Sequence, residues 1–261
     1  MSTAPVTIVT GGLSGLGADI VAELVRRGHR VYAFGLESDA TDAALSQQVL
    51  ESGGEWLVGD VTDQAQVEAA VARVSAQAGR IDGLVNNAAI GPLATVTQTS
   101  GELWDQIMAV NVKGAFLFAR SVIPLMRDQG GGAIVNVGSG AGWGKAGMAA
   151  YAASKGALHA LTMAMAYDHF HDHVRVNLAI PGGGGIRSGM SLGRVGGDES
   201  RLGRGAPGSV AGRRVAGRDL ANAVAFLLSA DAETISGTVI DVGCFAGQGG
   251  PIPSKPVVQE T

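Results

Sequence analysis

The chain has 261 residues, 46% of them hydrophobic and 16% charged, so it can bury a substantial core and lies far from the composition of a disordered polypeptide. A formal charge of -4 gives no overall pull toward a polyanion, which argues against a dedicated nucleic-acid or membrane-surface binder. A single cysteine, Cys244, excludes an intramolecular disulfide and a cysteine-cluster zinc site, and the 41 glycines fall in clusters without a collagen period, which points to tight backbone turns.

From Met1 to Pro5 the chain enters the apolar stretch 6–9 with no basic segment or cleavage pattern, and no apolar run approaches the ~18 residues of a membrane span; the expectation is a cytoplasmic protein. Short β-branched runs at 6–10, 31–34, 55–58, 83–86, 133–138, 175–180 and 238–242 read as seven strands. Between them, helical periodicity covers 18–27, 64–78, 103–127, 150–170 and 218–228, each long enough to cross from one parallel strand to the next. The predicted fold class is therefore α/β, a doubly wound, seven-stranded parallel sheet flanked by helices. No linker divides it, so 1–261 is expected to form a single domain, with a glycine-rich flexible substrate loop at about 182–217 and a Pro-containing tail at 247–261.

Ligands of such sheets bind beyond the carboxyl ends of the strands. There, Thr10-Gly11-Gly12-Leu13-Ser14-Gly15-Leu16-Gly17 joins the first strand to the first helix. Glycines let the backbone approach a pyrophosphate, while the helix amino terminus offers free N–H groups and a partial positive charge. Three glycines alone could form a plain tight turn, but the strand before and the helix after favour a Rossmann-type dinucleotide site.

Tyr151 and Lys155 stand four apart on a helical stretch, which puts both on one face about a turn from each other. A phenol titrates near ~10 and needs about 4 kcal/mol of help to act as a base near neutrality; a cation ~5 Å away at an effective dielectric of ~20 supplies roughly 3 kcal/mol. Ser139 follows a strand and could meet a substrate oxygen, although an ordinary loop serine is the plainer reading. Neither Ser14 nor Ser139 has glycines two residues away on both sides, so hydrolase chemistry loses its best support.

In order along the chain, the glycine loop, Asp60-Val61, Asn86-Asn87-Ala88-Ala89, Asn111-Val112-Lys113-Gly114, Ser139, Tyr151 to Lys155 and Pro181-Gly182 resemble the short-chain dehydrogenase/reductase family over residues 6 to about 247. The resemblance implies an oxidoreductase acting on a secondary alcohol or carbonyl substrate, with Tyr151 as general acid/base, Ser139 stabilising the reacting oxygen, Lys155 as ribose ligand and Asn111 holding a relay water. It further implies a nicotinamide cofactor held by Gly11, Ser14, Gly15, Leu16 and Gly17, by Asp60 and Val61 beside the adenine, by Asn87, Pro181 and Gly182, and by Ile186 and Ser188 over the nicotinamide amide. Homodimers or homotetramers are implied as well.

Some positions depart from that pattern. The acid that ends the second strand in NAD-preferring relatives falls at Gly35. Yet no Arg or Lys occupies Ser14, Gly35, Leu36 or Glu37 to neutralise the 2′-phosphate of NADP, and Glu37 would repel it, so NAD is the expected cofactor and NADP the alternative. The segment from Ser139 to Tyr151 is one residue short, Ala89 replaces a glycine, and Gly183 to Gly185 lengthen the stretch after Pro181, so the substrate side is expected to be remodelled around Trp143, Met148, 91–93 and 190–192. Arg187, Arg194, Arg201, Arg204, Arg213, Arg214 and Arg218 in or beside the loop read first as a solvated basic face and second as attraction for an anionic substrate. His169, His171 and His173 are weak as a metal site, and none is expected. An NADPH-dependent ketoreductase, or a non-catalytic nucleotide-binding member of the fold, are the alternative readings.

Overall fold

A computed structural model of the chain describes residues 4–39, 43–182, 186, 188–202 and 209–243. Cys244, Arg187, Arg204, the glycines 183–185 and the 247–261 tail lie outside the described residues.

All seven expected strands form: β1 (Val6–Thr10), β2 (Arg30–Gly35), β3 (Glu55–Val58), β4 (Gly83–Asn86), β5 (Gly132–Val137), β6 (Val174–Ile180) and β7 (Val239–Asp241). They make one sheet in the order β3-β2-β1-β4-β5-β6-β7, every pair parallel. Strand order reverses between β1 and β4, which opens a crevice where their carboxyl ends diverge.

Helices cover both faces because successive strand residues point to opposite sides. On one face Ile8, Tyr32 and Phe34 pack with Val67, Val71 and Val74 of α3 (Gln64–Ala78) and Phe118, Val122 and Met126 of α5 (Gly114–Asp128). On the other, Val9, Val31 and Ala33 meet Ile20, Val21 and Leu24 of α1 (Gly15–Arg26), Leu45 and Val49 of α2 (Ala43–Glu51) and Leu220, Val224 and Leu227 of α8 (Gly217–Leu228). The sequence reading misses α2, whose nine residues carry too little periodicity to stand out.

The single helix expected over 103–127 is a continuous helical run with a defect: α4 (Gly101–Met108), a π-turn over Ala109–Lys113, and then α5. The run Gly101–Asp128 is apolar and long enough to cross a membrane by length and composition, which the sequence reading did not anticipate, but half of its most apolar window is buried against the fold. Leu117, Phe118, Val122, Ile123 and Met126 of this run belong to the core of the sheet face above, whereas Trp104 and Phe116 are exposed.

A polar thread crosses the core beneath the crevice. Asn86 Nδ2 donates to Asn136 Oδ1 at 2.8 Å, Asn136 Nδ2 to Thr162 Oγ1 at 2.8 Å, and Thr162 Oγ1 to the Leu158 carbonyl at 2.7 Å. These bonds tie β4 and β5 to α6 (Ala149–Asp168) in a place where unmade bonds are costly. Asn136→Ala should therefore lower stability by about 1–3 kcal/mol in urea denaturation. An unchanged midpoint would show that the thread contributes nothing.

Candidate active site

The crevice is a cleft of about 440 Å³ over the carboxyl ends of β1 to β5. Of the residues expected to hold a cofactor, Gly11, Ser14, Gly15, Leu16, Asp60, Val61, Asn87, Tyr151, Lys155, Pro181 and Ser188 line it. Gly17, Glu37, Gly182 and Ile186 do not.

The glycine loop shows why its residues are small. Gly11 and Gly15 have φ of +61° and +50°, the left-handed region that L side chains rarely adopt. At Gly17 a Cβ would stand 1.8 Å from the Gly11 carbonyl oxygen, so this glycine lets α1 start directly against the loop instead of facing the cleft. Asn87 fastens the same loop from β4, its Nδ2 donating to the Thr10 and Gly11 carbonyls at 3.0 and 3.1 Å, while Thr10 Oγ1 accepts from the N–H groups of Asn87 and Ala88. Gly17→Ala should force the loop off α1. The expected result is loss of dinucleotide binding by fluorescence titration, and wild-type affinity would refute this account of the loop.

Tyr151 and Lys155 lie on α6 as the spacing requires, both buried and both on the cleft wall. Lys155 Nζ donates to the Val137 carbonyl at 2.8 Å and lies 5.9 Å from the centroid of the Tyr151 ring. Burial pushes the ammonium down to about 8, because the charged form loses hydration that one carbonyl replaces only in part.

Ser139 follows β5 directly after Val137 and Gly138, which line the cleft. Its Oγ accepts from Ala141 N at 3.2 Å and starts a 3-10 turn over Gly140–Trp143. The turn rests on the backbone of α6, since a Cβ on Gly142 would stand 3.1 Å from the Lys155 carbonyl carbon. The short segment before Tyr151 closes through Gly144 and Gly147, at φ of +101° and +69°, and pairs with Ala94. Glycine freedom thus accommodates the missing residue.

Asn111, expected to hold a relay water, sits inside the π-turn with its side chain already engaged. Oδ1 accepts from Ile90 N at 2.9 Å, and Nδ2 donates to the Ile90 carbonyl and to Ser154 Oγ, each at 2.9 Å. The amide clamps the loop after β4 to α6. Both amide hydrogens have protein partners, so these two donors are not free for a relay water.

Beyond the end of β2 Glu37 is exposed, whereas Asp39 lines the cleft. A 3-10 turn over Glu37–Asp39 rotates the chain so that a Cβ on Gly35 would meet Asp39 Oδ2 at 3.3 Å. The carboxylate at the end of β2 is thus Asp39, which sequence reasoning missed because it looked for the acid within the loop's first residues. Gln106 and Val110 also line the cleft from the helical run, in part because the π-turn reorients it.

The stretch expected to be an irregular loop contains α7 (Gly189–Arg194), capped by Ser188 Oγ accepting from Ser191 N at 3.1 Å. Ser188, Gly189 and Met190 close the cleft opposite the glycine loop. Ser191 Oγ also donates to the Ile186 carbonyl at 2.7 Å, so Ile186 braces α7. Trp143, expected to shape the substrate side, is half exposed and packs edge-on against His159 at 5.5 Å between ring centroids. His169 Nδ1 lies 2.8 Å from Asp172 Oδ2, and among the described residues no three His, Cys, Asp or Glu side chains gather as a metal would need.

A parallel doubly wound sheet, a glycine loop at its switch point and a buried Tyr-Lys pair on the cleft wall define a dinucleotide-fold oxidoreductase architecture. The family described as short chain dehydrogenase matches residues 5–192, and the chain belongs to it. It is 37% identical over 250 residues to a 2-(S)-hydroxypropyl-CoM dehydrogenase of Xanthobacter autotrophicus, covering 91% of this chain and 94% of that one. Similarity to a cyclopentanol dehydrogenase of Comamonas is also 37%, over 246 residues, 92% of this chain and 97% of the relative. Among solved structures, a 3-ketoacyl-(acyl-carrier-protein) reductase from Brucella melitensis complexed with NADH superposes with a TM-score of 0.81 at 27% identity, covering 93% of this chain and 98% of that one.

Proposed function

We propose that the protein transfers hydride between a nicotinamide cofactor, NAD by preference, and the carbinol or carbonyl carbon of a small secondary alcohol or ketone. The observation that carries the reading is the pairing of Tyr151 and Lys155, both buried in the wall of the cleft that starts at the glycine loop. A non-catalytic nucleotide binder could use the Lys155 ammonium on ribose hydroxyls but has no need of a phenol beside it.

The residues present fit such a cofactor. Ser14, Gly15 and Leu16 offer backbone N–H groups to a pyrophosphate, Gly11, whose own N–H is held by the Phe34 carbonyl at 2.7 Å, leaves room for its approach, and Asp60 and Val61 flank the adenine end. Lys155 has three donors and, among the described residues, one acceptor, which leaves two for ribose hydroxyls. When bound, the nicotinamide ring accepts or supplies the hydride.

The chain's own side chains handle the proton. In the oxidative direction Tyr151 takes it from the substrate hydroxyl, and in the reductive direction returns it to the carbonyl oxygen. Lys155 favours the phenolate form by its charge, Ser139 donates to the reacting oxygen, and Asn111 keeps Ile90 and Ser154 in place around them. Asp39 would accept from the ribose hydroxyls and repel a 2′-phosphate, which supports NAD over NADP. Cytoplasmic location and a homodimer or homotetramer complete the proposal, the exposed Ala153, Ala160 and Ala164 of α6 offering a close helix contact.

The test is turnover by purified protein with each oxidised and reduced nicotinamide cofactor across a panel of small secondary alcohols and ketones. Activity abolished by Tyr151→Phe is expected, and absence of any Tyr151-dependent turnover would sink the reading. Because the Lys155 ammonium is held down to about 8, dinucleotide affinity should weaken as pH rises through that value, where the lysine loses its charge and one of the two donors left for the ribose hydroxyls. Lys155→Met should show no such step; a step that persists belongs to another group.

A further inference from the structure

The catalytic tyrosine has a second cation against it. The guanidinium carbon of Arg194, the last residue of α7, lies 5.0 Å from the centroid of the Tyr151 ring, nearer than Lys155 Nζ at 5.9 Å. Arg194 Nε and Nη2 both donate to the Gly91 carbonyl oxygen, at 3.0 and 2.8 Å. This grip depends on a missing side chain. A Cβ on Gly91 would stand 2.5 Å from Arg194 Nη2 and 2.8 Å from Tyr151 Cδ2. Three segments distant in sequence, the loop after β4, α6 and α7, thus converge on one ring.

Two features set Arg194 apart from the other loop arginines. Arg213 pairs with Asp219, and Arg214 donates to the Leu202 carbonyl, so both brace the loop itself. No carboxylate among the described residues pairs with Arg194, so its charge faces the tyrosine uncompensated. A guanidinium over a phenol ring is attracted by the ring quadrupole, and much more by the ring once it carries a negative charge.

We infer that Arg194 is a positioning residue for proton transfer: α7 carries it onto Tyr151, where its charge stabilises the phenolate that accepts the alcohol proton in oxidation and is left behind when the proton is given up in reduction. The inference rests on Tyr151 being the general acid/base. Packing of α7 and activation of the tyrosine then become one event, because Met190 and Ser188 on the same short segment close the cofactor cleft.

Charge can be separated from hydrogen bonding by substitution. Arg194→Lys keeps the charge, whereas Arg194→Gln keeps a donor for the Gly91 carbonyl and loses the charge. Both are made in the full-length protein, alone and with Tyr151→Phe, and assayed for kcat and KM with a neutral secondary alcohol and for NADH affinity by fluorescence. The expected result is a roughly ten- to hundredfold fall in kcat for the glutamine variant, most of it recovered by lysine, with KM and NADH affinity within about twofold of wild type. In the Tyr151→Phe background the glutamine substitution should cost nothing more. Equal losses for lysine and glutamine would overturn the inference in favour of a purely structural grip on Gly91. A change in KM alone, or a full additional loss without the tyrosine hydroxyl, would overturn it as well. Wild-type turnover by Tyr151→Phe alone would overturn the tyrosine assignment itself, and the single variant identifies that failure separately.

Discussion

Tyr151→Phe should lower kcat by about a hundred- to ten-thousandfold while leaving dinucleotide affinity and thermal stability close to wild type. The direction follows from what the substitution removes. Only the hydroxyl goes, and with it the group proposed to exchange a proton with the substrate oxygen. The ring remains, together with its packing against Arg194 and Gly91 and its burial at 7% exposure. Hydride transfer would then have to generate an alkoxide, or protonate one, with water as the only partner. Single-turnover measurements with saturating cofactor check this directly, and calorimetry of NADH binding shows that the site is still built. A variant that loses cofactor binding in parallel with turnover would place Tyr151 in the architecture of the site and not in its chemistry.

Asp39→Asn should shift the cofactor balance toward NADPH by roughly ten- to hundredfold, with the corresponding Glu37→Gln nearly silent. A carboxylate ~5 Å from a phosphate dianion at an effective dielectric of ~20 costs about 3 kcal/mol per charge, and partial exposure of the turn to solvent reduces that. Asp39 lines the cleft beside Gly35 and Leu36, while Glu37 on the same turn is exposed to solvent. Paired dissociation constants for NADH and NADPH across the two variants measure the effect. A larger change from Glu37→Gln than from Asp39→Asn would return the role to the residue that the sequence pattern suggested first.

The difference between Glu37 and Asp39 illustrates which parts of the site are legible without coordinates. Features fixed by the chain's own local geometry were readable. The four-residue spacing of Tyr151 and Lys155 puts them on one helix face wherever that helix packs, and the glycine loop between a strand and a helix forms its turn whatever surrounds it. Features that depend on rotation of a short turn, or on what another segment offers, were not. A 3-10 turn over Glu37–Asp39 exchanges which carboxylate faces the cleft. The π-turn at Ala109–Lys113 leaves the hydrophobic period of the helix nearly intact, yet it seats Asn111 between Ile90 and Ser154, where its amide bridges the two. Similarly, α7 has six residues and a capping serine inside a glycine-rich stretch, too short for periodicity to register.

The sequence by itself determined the parallel sheet, its seven strands and the place of the Tyr-Lys pair, because alternation of β-branched runs with helix-length patterns leaves few topologies and because spacing on one helix is a local property. Only the tertiary structure decided which acid lines the cleft at the end of β2, what the Asn111 amide holds, and that Arg194 lies on Tyr151. Each of these is a contact between segments far apart in the chain, made possible by backbone that comes close where a side chain is absent, as at Gly35 and Gly91, and no local pattern records which partner will arrive there.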